Sequence, residues 1–273
     1  MYIIAEIGIN HNGDLDLALK MIKAAKESGA NCVKFQKRNP DKCVPEDQKN
    51  KPRVFKGEEM TYLEYKKRIE FNEDDYKKIA KYCKKINIDW TVSVWDIDSV
   101  EFIKKFKYDI PFIKIPSACI TNLELINAIN NLNIPVLISN GMSTFDEMNN
   151  AISNISNIWG VMHCNSSYPC NYNELDLNFI RILKSIYPNL KIGYSGHEIG
   201  YLPTIISVAM GAEIIERHFT LDNNMEGTDQ KASLEPNDFK NMIDDINKTL
   251  SILGNNFITV YESEKIVKNK LRK

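Results

Sequence analysis

Two lysines sit at the ends of otherwise apolar runs, Lys34 in CVKFQ and Lys114 in FIKIP, and two histidines, His197 and His218, follow comparable runs further on. Burying an ammonium without a partner costs several kcal/mol, so each lysine calls for an anion nearby. Serines 93, 117, 139 and 195 end neighbouring runs and offer hydroxyl donors. Lysines with hydroxyls describe a phosphate or carboxylate pocket. Glu6 and Glu216 are the carboxylates placed to pair with Lys34 and Lys114, and pairing within the chain is compatible with anion binding. Two imidazoles on adjacent strands about 4.8 Å apart can share one cation, with water or carboxylate completing its shell. Such ligation suits Mn, Zn, Fe or Co. His11 lies in the turn at residues 10–13, where supporting that turn by hydrogen bonding is its ordinary role.

The elements that must position these groups recur eight times. Short β-branched runs at 2–7, 31–36, 89–94, 112–115, 136–139, 160–164, 191–195 and 214–218 read as strands. Their near-continuous apolar character suits a parallel sheet covered on its outer face and packed within. Helical patterns follow at 15–28, 73–85, 97–106, 122–130, 144–155, 177–186, 201–210 and 236–253. Gly29 and Gly211 follow helices, and Pro236 begins one. Eight such units predict an α/β fold, a parallel (β/α)8 TIM barrel over residues 1–273, in preference to an open doubly wound sheet. Active sites of this fold lie at the C-terminal strand ends. Those ends carry Glu6 with residues 10–13, Lys34 with Gln36, Ser93, Lys114 with Ser117, Ser139 with Asn140, His163 with Asn165 and Ser166, Ser195 with His197, and Glu216 with His218. The polar, basic stretch at 37–71 is long for a loop. It reads either as a lid over an anionic ligand or as a mobile, partly helical insertion.

Bulk properties agree. The 273 residues are 43% hydrophobic with a formal net charge of -1, which argues against a broad nucleic-acid surface. Six cysteines without a CxxC pair read as buried reduced thiols. With neither a leader pattern nor a membrane-length apolar run, the expectation is a cytoplasmic protein that binds no membrane. The basic C-terminal run (Lys265, Lys268, Lys270, Arg272, Lys273) reads as a solvated helix end.

The ordered segments AEIGINHNG (5–13), ANCVKFQ (30–36), KIPSA (114–118), ISNGM (138–142), HCNSSYP (163–169), GYSGHEIG (193–200) and ERHFTLD (216–222) resemble the N-acetylneuraminate (sialic acid) synthase family over essentially the whole chain. The resemblance implies condensation of phosphoenolpyruvate with an N-acylated aldose such as N-acetylmannosamine, yielding a nonulosonic, sialic-type acid and phosphate. It implies a divalent metal, commonly Mn with Mg, Co or Zn as alternatives, on His197 and His218. Phosphoenolpyruvate contacts would be Lys34, Ser93, Lys114, Ser117, Ser139, Ser166 and Ser195; sugar contacts would be Gln36, Tyr168 and Asp229; Glu6 and Glu216 would serve water or the metal shell. Ser166 stands where the family often has Asn, and Cys119 stands where its sialic acid synthases have a sugar-binding Glu. The family's C-terminal antifreeze-like domain, which reaches a partner's site, is not expected within these residues; a homodimer or a separate capping protein would supply that contact. The alternatives are a 3-deoxy sugar-acid phosphate synthase using a phosphorylated aldose, which the basic 37–71 stretch favours, and a non-catalytic barrel that binds phosphoenolpyruvate or a sugar acid.

Overall fold

The computed structural model describes residues 1–254 and 257–272. Among the described residues ten strands form: β1 (Tyr2–Gly8), β2 (Cys32–Lys37), β3 (Pro52–Phe55), β4 (Glu58–Thr61), β5 (Asp89–Val94), β6 (Ile113–Ile115), β7 (Val136–Ser139), β8 (Ile158–Cys164), β9 (Lys191–Gly196) and β10 (Ile214–His218). Eight of them close a parallel barrel in the order β1-β10-β9-β8-β7-β6-β5-β2, the architecture expected from the sequence. Helices cover the outside at the predicted places, with ends within two residues of expectation, as Leu15–Glu27, Phe145–Asn154 and Phe179–Ile186 illustrate, except that the predicted 97–106 helix is α-helical only over Ile97–Ile103 and tightens to a 3-10 turn over Lys104–Phe106.

Alternation along each strand sorts the side chains into layers. Outward residues such as Ile3, Ala5, Ile7, Val33 and Phe35 join the large core shared with the helices. Inward residues Ile4, Cys32, Phe112, Leu137, Met162 and Ile214 fill the lower barrel, with Tyr2 and Trp159 packed beneath. The Phe112 and Trp159 rings lie 4.8 Å apart, and Tyr2 meets Trp159 edge-on at 5.6 Å. One layer up, the inward positions become Glu6, Lys34, Lys114, Ser195 and Glu216. The barrel is therefore plugged by apolar groups below and ionic above, and the filled floor confines the chemistry to the strands' C-terminal mouth.

The 37–71 stretch folds. Short helices at Pro40–Cys43 and Glu46–Lys49 lead into a β3–β4 hairpin and the helix Tyr62–Ile69, started by a capping box between Thr61 and Glu64. Phe55, Tyr65 and Ile69 make a small core with Ile9 from the loop after β1. Gly13 in that loop has φ of +72°, and a Cβ there would lie 2.4 Å from the Arg68 carbonyl. The insertion packs against the strand-end loops as a small ordered cap.

All six cysteines are unpaired thiols; five are buried as expected, but Cys43, in a short helix of the 37–71 stretch, is only half-buried, contrary to expectation. The helix Glu262–Leu271 is exposed, in keeping with the solvated basic end read from the sequence; Lys273 lies outside the described residues. Among the described residues no helix is long and apolar enough to cross a membrane.

Truncating Phe55 to Ala should cost the cap about 3–5 kcal/mol of local stability. Limited proteolysis should then cut between β3 and the following helix much earlier, with the barrel's thermal transition little changed.

Candidate active site

Register brings the ionic layer together. Glu6 on β1 stands opposite Lys34 on β2 and His218 on β10. Gln36 faces Ser93, Ser93 faces Lys114, and Glu216 faces Ser195. Lys34 pairs with Glu6 and lies 3.6 Å from Glu216 Oε1. Lys114 Nζ donates to the same Glu216 oxygen at 2.7 Å, and Ser195 donates to it at 3.3 Å. All four charged groups are at least 95% buried. The pairing inferred from the sequence is thus present, and it meets the requirement that buried charges be compensated.

The electrostatics are lopsided. Burial works to lower the Lys34 pKa, but the carboxylates of Glu216 and Glu6 outweigh it and hold the ammonium above its ordinary value. For Lys114, burial prevails and Lys34 adds to it, so its pKa is depressed despite Glu216. Burial would raise Glu216, yet Lys114 and Lys34 hold its carboxyl down at about 2.

These groups border a cavity of about 140 Å³. Its walls include Glu6, Lys34, Gln36, Ser93, Lys114, Ser117, Ser139, Ser166, Tyr168, Ser195, His197, Glu216 and His218. Thirteen of the fourteen candidate residues thus meet at one place, and the fourteenth, Asp229, lies 4.0 Å from His218 Nδ1. Gly141 leaves room for two of the hydroxyls: a Cβ there would lie 2.3 Å from Ser166 Oγ and 2.8 Å from Ser117 Oγ.

The two imidazoles stand 5.5 Å apart between ring centres, on the same side of the barrel. His197 Nδ1 lies 2.6 Å from the Asn165 carbonyl, which can only accept. Its proton is therefore on Nδ1, and the Nε2 lone pair takes the Tyr168 hydroxyl at 2.8 Å. Burial lowers the His197 pKa to about 4, and burial likewise lowers His218 against the pull of Asp229 and Glu6. Both rings are neutral near pH 7. His218 Nδ1 and Glu216 Oε2 are buried without hydrogen-bond partners. Among the described residues no three His, Cys, Asp or Glu side chains form a ready-made metal cage. A metal held here would rest on the two imidazoles, with oxygens of water or substrate completing its shell.

The other two histidines are placed otherwise. His163 faces away from the cavity: on β8 its neighbours Met162 and Cys164 point inward, while its Nε2 lies 2.7 Å from the Leu175 carbonyl. His11 supports its turn, accepting from Gly13 N at 3.1 Å and stacking on Phe71 at 3.9 Å. The sequence reading did not anticipate the partner of His197's loop. Arg217, outward on β10 and fully buried, donates to Glu198 Oε1 and to the Glu198 carbonyl, both at 2.7 Å, while Tyr194 donates to Glu198 Oε2 at 2.8 Å. The alternation of IIERH was the available signal, since it puts Glu216 and His218 inside and Arg217 outside. Trp95 and Arg38 were also missed; the Arg38 guanidinium lies 3.8 Å over the Trp95 ring at the cavity wall.

The fold and site define a (β/α)8 barrel whose mouth gathers two buried, carboxylate-paired ammonium groups beside a pair of neutral imidazoles. Residues 21–257 match the NeuB family model. The chain is 40% identical over 245 residues to N-acetylneuraminate-9-phosphate synthase of Drosophila melanogaster, covering 88% of this chain and 65% of that protein. It is 36% identical over 280 residues to N,N'-diacetyllegionaminic acid synthase of Campylobacter jejuni, covering 99% and 83%. The crystal structure of N-acetylneuraminic acid (sialic acid) synthetase from Leptospira borgpetersenii, in complex with citrate, superposes with a TM-score of 0.88 at 31% identity, covering 100% of this chain and 93% of that one. The chain belongs to the NeuB family.

Two outcomes follow from the site's surroundings. Glu198→Ala should destabilise the fold by about 3–5 kcal/mol in urea titrations, because Arg217 keeps a buried charge without its partner; adding Arg217→Met should recover much of that. Folded His11 stays neutral down to about pH 3 because burial opposes its charging, whereas the unfolded ring takes a proton near 6.5. The unfolded state therefore binds the extra proton between those values. Stability should fall on acidification from 6.5 toward 3, with this ring contributing up to about 1.4 kcal/mol per pH unit. His11→Phe, which keeps the stacking, should flatten that slope in urea titrations run across the window.

Proposed function

We propose that this protein joins phosphoenolpyruvate to the aldehyde carbon of an aldose, an N-acylated one in the simplest case, to give a nonulosonic, sialic-type sugar acid and inorganic phosphate. The observation that carries the reading is the buried Lys34–Glu6–Glu216–Lys114 cluster opening onto the same cavity as His197 and His218.

Lys34 and Lys114, with the hydroxyls around them, hold the phosphate and carboxylate of phosphoenolpyruvate and fix which enol face meets the sugar. Gln36, Tyr168 and Asp229 stand on the sugar's side, Gln36 hydrogen-bonded to Glu6 at 3.2 Å. The donor set suits a divalent metal such as Mn: two neutral imidazoles, one with its tautomer fixed by a backbone carbonyl, and a carboxylate oxygen without a partner. Bound by His197 and His218, the metal would supply Lewis acidity to the aldehyde oxygen. The enol carbon forms the new bond to the aldehyde carbon, whose oxygen takes a proton. Water adds to the resulting cationic carbon and loses a proton to a carboxylate, Glu6 or Glu216. The adduct's hydroxyl then gives its proton to the departing phosphate as the carbon–oxygen bond to phosphate breaks, and its carbon becomes the keto carbon of the product. Glu216 is a weak base while two ammonium groups hold it, and it becomes a stronger one once the substrate's anionic groups share those charges. A homodimer or a separate capping protein would close the sugar side of the cavity.

Supplied with phosphoenolpyruvate, Mn and an N-acylhexosamine or its phosphate ester, the purified protein should release phosphate and form a sugar acid detectable by mass. His197→Ala and His218→Ala should each depress release by more than the roughly 10–100-fold that loss of an outer-shell metal contact costs. Lys114→Met should chiefly raise the KM for phosphoenolpyruvate. Undiminished turnover in the histidine variants would remove the metal role, and no product with any acceptor would remove the reaction.

A further inference from the structure

One hydrogen bond at the site opposes the chemistry proposed for it. His197 has a single nitrogen able to accept, because Nδ1 carries the proton that the Asn165 carbonyl takes at 2.6 Å. The remaining lone pair, on Nε2, already accepts from the Tyr168 hydroxyl at 2.8 Å. His218 is engaged differently: its Nδ1 is buried without a hydrogen-bond partner, and the Asp229 carboxylate lies 4.0 Å from it. The two rings are alike in burial and unlike in what holds them.

The loop after β8 puts the phenol in this place. Its Asn165 carbonyl receives the proton of His197 Nδ1, and further along the Cys170 N–H donates to the His197 carbonyl at 3.3 Å. Pinned to His197 at both places, the loop lays the intervening Tyr168 over the same residue, with ring centres 4.1 Å apart and planes tilted by 33°. Tyr168 also meets the His218 ring edge-on at 5.7 Å, so one phenol borders both imidazoles. The residue is nevertheless 49% exposed, and among the described residues its hydroxyl has no second partner. A half-exposed ring held by one hydrogen bond can turn away cheaply, since the net strength of such a bond shifts an equilibrium only about 2–10-fold. An ion and the hydroxyl cannot share Nε2. Zinc, for example, binds an imidazole nitrogen at about 2.0–2.1 Å. An ion so placed along the lone pair would fall inside the position that the hydroxyl oxygen occupies.

We infer that Tyr168 is a latch on the metal position: its hydroxyl competes with the metal for His197 Nε2, and entry of the metal releases that hydroxyl to donate to the acceptor sugar. The inference rests on the metal role proposed above for His197 and His218. Metal and acceptor are then linked in both directions, because whatever holds the freed hydroxyl favours the metal, and the metal frees the hydroxyl. The acceptor finds this donor only where the metal is already seated, which sets the order of loading.

The test is a manganese titration of the full chain and of its Tyr168→Phe, His197→Ala and doubly substituted variants, with free ion read by electron paramagnetic resonance. Tyr168→Phe keeps the ring over His197, so its melting temperature without added metal should match that of the unsubstituted chain. It should bind manganese about 2–10-fold more tightly, the fold-change that one net hydrogen bond corresponds to. His197→Ala should erase that gain. In phosphate-release assays Tyr168→Phe should need less manganese for half-maximal rate while its KM for N-acetylmannosamine rises, a split that a merely structural defect would not produce. A second measurement needs no turnover: manganese should perturb the ultraviolet spectrum of the unsubstituted chain through the displaced phenol, without tyrosinate absorbance, and Tyr168→Phe should lack that change. Manganese binding unchanged or weakened by Tyr168→Phe, while binding to the unsubstituted chain still depends on His197, would overturn the latch and leave the metal role standing. Tyrosinate absorbance would do the same, by showing the phenol kept on the ion as a ligand. Tighter manganese binding with an unmoved acceptor KM would overturn the release of the hydroxyl to the sugar. Manganese affinity indifferent to His197→Ala in both backgrounds would overturn the metal role and the latch with it.

Discussion

Four ionisable side chains buried in one layer of a closed barrel must balance one another, and the rest of the site is arranged around that balance. Strand alternation allows no escape: once Ile4 and Ile214 face inward to fill the floor, Glu6 and Glu216, two residues on, must face inward too. Lys34 and Lys114 compensate them from β2 and β6, inside the closed barrel. Charges in such a place are stable only as a connected set, which is why Ser195 also turns toward Glu216. The apolar floor below and the helical coat outside surround this layer with low-dielectric material, which strengthens the attraction between its charges.

The same alternation explains the second support. His197 sits just past the end of β9, where backbone hydrogen bonding no longer dictates its direction. Its position is set from outside the barrel, by Arg217 gripping both the side chain and the carbonyl of Glu198. It is set from inside by the Asn165 carbonyl, which also decides the ring's tautomer. Two residues adjacent in sequence, Glu216 and Arg217, thus do opposite jobs on opposite faces of one strand: one carries charge to the site and the other secures the loop beside it.

This division shows what could be read from the sequence and what could not. Eight apolar runs at regular spacing made the barrel legible, and the rule that active sites lie at strand ends converted isolated polar residues into a single site. Lys34 and Lys114 were legible because an ammonium in an apolar run demands a partner, and the partners were already in view. The direction of His163 was harder, because β8 is two residues longer at its start than the predicted run and its ladder with β7 carries an irregularity between Val136 and Leu137. Parity counted from Cys164 would have turned that ring outward. The cap at 37–71 was illegible for a different reason. Its helices are one or two turns long and its core is four side chains, too little for periodicity to register. Tyr168 and Asp229, on irregular loops, had no pattern to betray them and came only through the family resemblance.

The lopsided charges indicate which part of the layer must yield when an anion enters. Lys34 is overcompensated, with Glu6 against it and Glu216 nearby, so an arriving anion gains little there. Lys114 has one carboxylate oxygen, shared with Lys34 and Ser195, and its depressed pKa shows that its burial is incompletely offset. An anion beside Lys114 therefore supplies compensation the protein lacks, and it loosens the hold on Glu216. In the proposed condensation, anion entry beside Lys114 and the freeing of Glu216 as a general base would then be one electrostatic event, since the same ammonium holds that carboxylate down when no anion is bound.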